Sequence, residues 1–209
     1  SITVVMLSVA MLGIVMSVMN GFRAELLDRI TGLNGHAVVQ AYGGRLDDWE
    51  NVLQEVRATP GVVSASPLIE QPLLASFEGR AEAVFVRGNT AEDIIAMAPS
   101  VLSGSIAGLE PGQNRIAIGS RLASNLGLRL GDTLTIINPQ GRTTPFGTVP
   151  RQIGYEVVAI FEVGLYDFDE RFVIMPIPVA QTLLLTGETI SMIEVQVTDP
   201  DEVGRILAP

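Results

Sequence analysis

The first 22 residues of the chain contain no charged side chain, and this feature constrains the fold most. From Ile2 to Met19 the run is apolar apart from Thr3, Ser8, Gly13 and Ser17. A helix of about 20 apolar residues crosses the roughly 30 Å hydrocarbon core of a bilayer. A secretory signal peptide is the competing interpretation, but the run lacks a basic leader and a small-residue cleavage site. We therefore predict a transmembrane helix, in a chain that is part of a longer protein.

The helical pattern continues past the membrane to about residue 31. Phe22, Leu26, Leu27 and Ile30 form an apolar stripe opposite charged residues. Residues 1–31 are thus predicted to be a transmembrane helix with an extension in the aqueous phase. Two methionines of this helix, Met16 and Met19, are candidates for lining a lipid path, although Met in an apolar helix more often serves packing.

Composition removes several chemistries. The chain has no Lys and no Cys, and its single His is His36. A Walker A loop and a Schiff base need Lys, thiol chemistry needs Cys, and a zinc site built on a His pair needs a second His. The net charge of −10 disfavours nucleic acid and anionic lipid headgroups as partners. We expect no cofactor, no metal and no catalytic residues, and hence a protein that is not an enzyme.

Beyond residue 36, apolar periodicity alternates between short strands and short helices. A helix is expected to start at Asp47 or Asp48 and to stop before Pro60, with Trp49 in the core. This order predicts an α+β fold with helices on one face of the sheet. Further strands are predicted at 37–41, 62–66, 71–77, 81–87, 115–118, 133–138, 152–163, 172–175 and 193–198, and helices at 91–98, 120–126, 179–185 and from about Asp201.

The stretch 101–113 is rich in Gly, Ser and Pro and nearly uncharged, which is typical of a connection between two units. We predict a first, α+β unit made of residues 32–102 plus 188–209, closed by the C-terminal strand. A second, β-rich unit of residues 103–187 is inserted within it.

The segment 138–151 lies between two predicted strands and contains three prolines. Hairpins normally close with about two to five residues, so we expect an irregular connection rather than a simple turn. Pro cannot donate to a sheet ladder and stiffens the chain. Long irregular connections in compact domains are usually functional or disordered. The sequence therefore predicts a stiff arm that stands out from the body.

The charge of this arm favours a binding role. Arg142 and Arg151 are the only charged residues between positions 133 and 155, on a chain of net charge −10. Phe146 stands between a Pro and a Gly, which is a poor place from which to reach a core. An exposed aromatic next to Arg is typical of a protein-binding hot spot. The alternative is a loop whose Phe146 folds back on the domain.

Six segments together carry a resemblance to a known family. They are Ser17 to Phe22, Ile118-Gly119, Leu122 to Gly127, Gly131-Asp132, Thr144 to Gly147 with Pro150, and Phe161 to Tyr166. In this order the sequence resembles the permease subunits of the bacterial lipoprotein-releasing ABC transporter, the LolC/LolE family. The resemblance spans nearly the whole chain, and the set is more specific than any single motif.

The resemblance implies a MacB-like periplasmic core domain, in which a porter-like α+β subdomain carries an inserted β-rich subdomain and follows one transmembrane helix. It implies a protein of the bacterial inner membrane with its main domain in the periplasm. A separate, cytoplasmic LolD-like ATPase would supply energy, and a sister permease or a second copy would complete the transporter.

The family extracts lipoproteins from the inner membrane and passes them to a soluble LolA-like periplasmic carrier. The resemblance makes this chain the carrier-binding LolC-like type, or a hybrid, because the Pro-rich segment aligns with a protruding hairpin arm that grips the carrier. The implied carrier-binding residues are Pro139, Arg142, Thr144, Pro145, Phe146, Gly147, Val149, Pro150, Arg151 and Gln152. At a second contact near the arm's base Gln152 matches the family, whereas Ile153 stands where a basic residue is expected.

Two other functions stay open at this stage. A different mechanotransmission permease, for efflux or peptide export, would not need the arm. A membrane-anchored periplasmic hydrolase would use carboxylates, and Asp167, Asp169 and Glu170 form the best cluster. Acidic clusters before a strand are more often solvated turns, which is what we expect here. His36 is expected to be a structural residue at a strand start rather than a pH switch.

Overall fold

Strands dominate the part of the chain that the computed structural model describes, which is residues 37–41, 44–144 and 147–198. The strands are β1 (Ala37–Val39), β2 (Val62–Phe77), β3 (Arg80–Asn89), β4 (Val101–Gly104), β5 (Arg115–Gly119), β6 (Thr133–Thr144), β7 (Gly147–Phe161), β8 (Phe172–Pro176) and β9 (Met192–Val197). The α-helices are α1 (Trp49–Ala58), α2 (Ala91–Ala96), α3 (Ser120–Leu126), α4 (Tyr166–Arg171) and α5 (Ile177–Leu184). The predicted α+β fold is confirmed.

Six of the strands close a hydrogen-bonded ring. Around it, β2 pairs with β3, β3 with β8, β8 with β5, β5 with β7, β7 with β6, and β6 again with β2. Because side chains alternate across a strand, every second residue points inward and fills the barrel. The inward residues include Leu73, Ala75, Val84, Val86, Ile116, Ile118, Leu134, Ile136, Tyr155, Val157, Val173 and Met175, all buried.

The last strand returns to the first part of the chain. β9 pairs antiparallel with the first half of β2 and with β1, so the sheet continues past the barrel in the order β2, β9, β1. Helix α1 packs Leu53 and Val56 against this extension, in one cluster with Ala65 and Val195. Trp49 is half-buried against the same core, and its indole N–H donates to the carbonyl oxygen of Glu188 over 2.9 Å. The division into residues 32–102 plus 188–209 and residues 103–187 stays a prediction.

Strand β2 differs from the sequence prediction. Two separate strands are expected at 62–66 and 71–77, but 62–77 is one continuous strand. The strand pairs with β9 as far as Leu68 and with β3 from Ile69 onward. The change of partner lets one long strand serve both the barrel and the sheet extension.

Several predictions fall outside the described residues. These are the transmembrane helix and its extension over 1–31, Met16 and Met19 within it, His36, Pro145, Phe146 and the helix near Asp201. Within the ranges that the structure does describe, none of the helices has the length and apolarity that crossing a bilayer requires.

Candidate functional site

Strands β6 and β7 form a long hairpin in place of the irregular connection expected over 138–151. Asn138 lies opposite Arg151, and the ladder then resumes with Arg142 opposite Val149 and continues until Gly147. The expectation of an irregular segment is wrong because both strands continue through it and pair again beyond a register shift between Asn138 and Arg142. Pro139 and Pro150 both lie within that shift, where a missing N–H interrupts no regular pair.

The distal part of this hairpin, residues 139–150, is called the arm below. In the described structure, the pairings of residues 142–144 and 147–149 join only the two strands of the hairpin. Pro139, Gln140, Gly147 and Pro150 are exposed, and Val149 keeps 55% of its surface accessible. A two-stranded ribbon with an accessible apolar side chain gives another protein a defined backbone and an apolar surface to bind.

Asn138 holds the base of the arm. Its side chain is only 3% exposed, and its amide Nδ2 donates to the carbonyl oxygen of Leu183 in α5 over 3.3 Å. Its Oδ1 accepts a hydrogen bond from the backbone N–H of Gln140 over 3.0 Å. One buried side chain therefore ties the start of the register shift to the barrel and shapes the shift itself.

Gly141 allows the two strands to pass closely within the shift. A Cβ atom at this position would lie 1.9 Å from the carbonyl oxygen of Val149 and 2.7 Å from the backbone N of Arg151. Neither contact is sterically possible, so any side chain here would push the strands apart. Neither Asn138 nor Gly141 is among the functional residues predicted from the sequence, although a Gly inside a strand pattern is a recognised sign of close backbone approach.

Arg151 lies at the base of the arm rather than on its exposed part. It is half-buried opposite Asn138, and its Nε is buried without a hydrogen-bond partner among the described residues. Four residues further, Tyr155 is inside the barrel, and burial raises the pKa of its hydroxyl to about 12 against the opposing effect of Arg151. This position makes Arg151 a poor candidate for contacting a partner directly.

The remaining predicted site residues are divided between the arm and the barrel wall. The backbones of Arg142 and Thr144 lie in β6. Gln152 is exposed and pairs with Ile137, whereas Ile153 pairs with Ile136 and is partly buried against the core. The two neighbours thus face opposite sides of the sheet, and only Gln152 is accessible at the base of the arm.

The acidic cluster of Asp167, Asp169 and Glu170 is not simply a solvated turn. Asp169 is 1% exposed, and its carboxylate accepts the backbone N–H of Val163 over 2.8 Å and that of Gly164 over 3.1 Å. Glu170 accepts hydrogen bonds from the Tyr166 hydroxyl and from the side chain of Asn125. The expectation of a solvated turn is wrong for Asp169, because its carboxylate is buried and is held by two backbone N–H groups of the preceding loop. The hydrogen bonds of Asp169 stabilise the turn that follows β7.

A cleft lies beyond the barrel, along β9, β2, β3 and helix α2. This cleft has a volume of about 720 Å³. Its floor carries Arg87, which is 5% exposed, and the wall includes Ser66, whose hydroxyl donates to Asp93. Serines and carboxylates alternate with apolar residues around it, and none of the described residues forms a group that could hold a metal ion.

Comparison with known proteins gives a consistent family relationship. Residues 1–208 match the family described as the MacB-like periplasmic core domain. The chain is 34% identical over 178 residues to the lipoprotein-releasing system transmembrane protein LolC of Xylella fastidiosa, covering 84% of this chain and 43% of that protein. It is 28% identical over 211 residues to LolC of Neisseria meningitidis, covering 100% and 51%. The chain thus spans about half the length of these relatives.

One solved structure is similar in fold. It is the extracellular domain of the noncanonic ABC-type transporter YknZ from Gram-positive bacteria, with a TM-score of 0.52 and 14% identity. The match covers 79% of this chain and 80% of that one. At this identity the likeness concerns the fold alone.

Proposed function

The chain belongs to the MacB-like periplasmic core domain family, and on that premise we propose that it is part of a permease subunit that releases lipoproteins from the inner membrane. In this role the domain receives a soluble, LolA-like carrier on its arm. A LolD-like ATPase supplies the energy, and a sister permease or a second copy completes the transporter. The names of the two LolC relatives and the resemblance in segment order support this assignment.

The single observation that carries the docking step is the shape of the β6–β7 hairpin. Both strands run on past the barrel wall as a ribbon that is exposed at Pro139, Val149 and Pro150. A permease that only transmitted movement to another channel would have no use for such a ribbon. Extended, pre-formed ribbons lower the ordering cost of binding, because little conformational freedom is lost when the partner closes on them.

The arm would bind chiefly through apolar contacts. In this proposal Phe146, Pro145 and Val149 enter an apolar groove of the carrier, and Arg142 brings positive charge towards an acidic rim. Gln152 would add a polar contact at the base. Arg151 has a supporting place in the base instead, because it is half-buried beside Asn138.

Replacing Phe146 with Glu tests the docking step. The full-length permease, purified in detergent, is mixed with the LolA-like carrier of the same organism, and the captured carrier is measured. Loss of a central aromatic typically costs at least 2 kcal/mol, so capture should fall about 30-fold or more. Ile95→Glu is the matched control, because Ile95 is a 68% exposed apolar residue of α2, outside the hairpin.

The outcomes separate the candidate functions. Loss of capture in Phe146→Glu with normal capture in Ile95→Glu supports carrier docking. Equal capture by both variants refutes the role of the arm. Deleting residues 140–149 distinguishes a different mechanotransmission permease, because transport by such a protein would be unimpaired.

A further inference from the structure

Asn138 lies where the arm leaves the barrel, and its place there suggests a task beyond packing. We propose that Asn138 is a positioning residue, which fixes the angle of the arm against helix α5 and thereby sets the arm's affinity for its protein partner. This inference rests on the proposed docking function and adds to it a residue that does not touch the partner.

The register shift interrupts the ladder at the base of the arm. Regular pairing stops after Asn138 and resumes at Arg142, so the ladder itself does not hold the arm at this point. Interrupted ladders bend and twist strands locally. Some other contact must set the direction in which the arm continues, and within the described structure the side chain of Asn138 makes two such contacts.

Asn138 binds a carbonyl group at the end of helix α5. The carbonyl oxygen of Leu183 is in the last turn of α5, where carbonyls have no partner within the helix. The Asn138 amide donates to it, while the same side chain accepts from Gln140 on the other side of the bend. Asn can do both at once, because its side chain has one donor end and one acceptor end.

Helix α5 is itself held firmly in place. Leu183 and Ala180 are fully buried, and α5 packs closely on β3. A Cβ on Gly88 of β3 would lie 2.8 Å from the Cβ of Ala180. The helix and the strand are therefore packed as closely as a glycine allows. The hydrogen bond from Asn138 to Leu183 therefore attaches the arm to a rigid helix.

The test compares two variants of similar expected stability cost. Asn138→Leu removes both hydrogen bonds, and Thr90→Ala removes the N-cap of α2, whose hydroxyl accepts from the N–H of Asp93. The full-length permease is used, with the LolA-like carrier as probe and amide hydrogen exchange of residues 147–149 and Arg151 as a second readout. We expect Asn138→Leu to weaken carrier affinity about fivefold to tenfold, because the arm loses its preorganisation.

A third variant separates the two hydrogen bonds. Asn138→Asp still accepts from Gln140 but sets a carboxylate against the carbonyl oxygen of Leu183. We expect it to behave like Asn138→Leu, because the tie to α5 is the contact that sets the angle. Exchange of the arm amides should rise in both Asn138 variants and stay unchanged in Thr90→Ala.

Each outcome decides the proposal. Reduced affinity and faster arm exchange in the Asn138 variants alone support it. Unchanged affinity in Asn138→Leu, unchanged exchange, or an equal loss in Thr90→Ala overturns it. If the unaltered permease does not bind the carrier, the docking function itself fails, whereas the exchange result still decides whether Asn138 holds the arm.

Discussion

Arg87 of β3 and Glu194 of β9 are joined across the strand between them, with the Nη2 of Arg87 2.7 Å from the Oε2 of Glu194. The intervening strand, β2, contributes Glu70, whose carboxylate is 3.8 Å from the same guanidinium. Arg87 is only 5% exposed, so its charge has little water to solvate it. The two carboxylates replace that water, and the row of charges links the barrel to the sheet extension.

Replacing Arg87 with Met should destabilise the fold strongly. The change leaves Glu70 and Glu194 facing each other without the positive charge between them, at a cost of about 3 kcal/mol. The melting temperature of the purified permease should fall by about 6–10 °C. Adding Glu194→Met to this variant should restore at least half of the loss, and a double variant less stable than the single one would contradict the argument.

The pH dependence of Glu70 has a definite sign. Burial raises the pKa of the Glu70 carboxyl above its ordinary 4.5, against the lowering effect of Arg87, and Glu194 adds to the rise. A raised pKa in the folded state means that folding favours the proton, so the stability gained is present below the unfolded pKa and is lost as the pH rises through the folded one. Glu70→Gln should therefore melt higher than the unaltered protein at pH 7. The difference should vanish below pH 4.5, and a stabilisation that is equal at both pH values would refute it.

Local patterns predict the elements whose ends are set by nearby residues. Helix α3 has the predicted bounds 120–126, because Gly127 takes a left-handed conformation with φ 77° and ends it. The alternation of buried Leu134 and Ile136 with accessible neighbours likewise marks the start of β6 at Thr133 correctly, although the strand runs to Thr144 rather than to Asn138. In both cases the deciding information lies within a few residues.

The features that the sequence did not predict depend on contacts with distant parts of the chain. The register shift after Asn138 involves a hydrogen bond to Leu183, 45 residues further along the chain. Strand β2 is continuous because it changes partner, and Asp169 is buried where its backbone lies against Gly119 at the end of β5. Sequence patterns indicate which residues are unusual, but pairing partners come from the folded topology.

Gly141→Ala should damage the arm and spare the barrel. The added methyl group cannot share space with the carbonyl oxygen of Val149, so the two strands of the arm must separate. We expect faster amide exchange at residues 147–149 and at least a tenfold loss of carrier affinity, with a melting temperature close to that of the unaltered permease.

A glycine elsewhere provides the control for this variant. A Cβ on Gly108 would meet Val158 at 3.5 Å, which is ordinary contact, so Gly108→Ala should leave both exchange and affinity unchanged. Equal effects of the two substitutions would show that loss of a glycine, rather than the close passage of the strands, causes the change.

Asp169 provides the sharpest distinction between a structural and a catalytic carboxylate. Its two oxygens accept the backbone N–H groups of Val163 and Gly164, so an Asn side chain would turn an amide N–H₂ against one of these donors. We expect Asp169→Asn to cost about 3 kcal/mol and to lower the melting temperature by about 6–10 °C. The exposed Asp167 offers the matched control, and Asp167→Asn should change stability by less than about 0.5 kcal/mol. Because the carboxylate oxygens are taken up by two backbone donors, the proposed lipoprotein release, measured per folded permease, should be the same in both variants. A stable Asp169→Asn protein that releases nothing would instead assign Asp169 a chemical role.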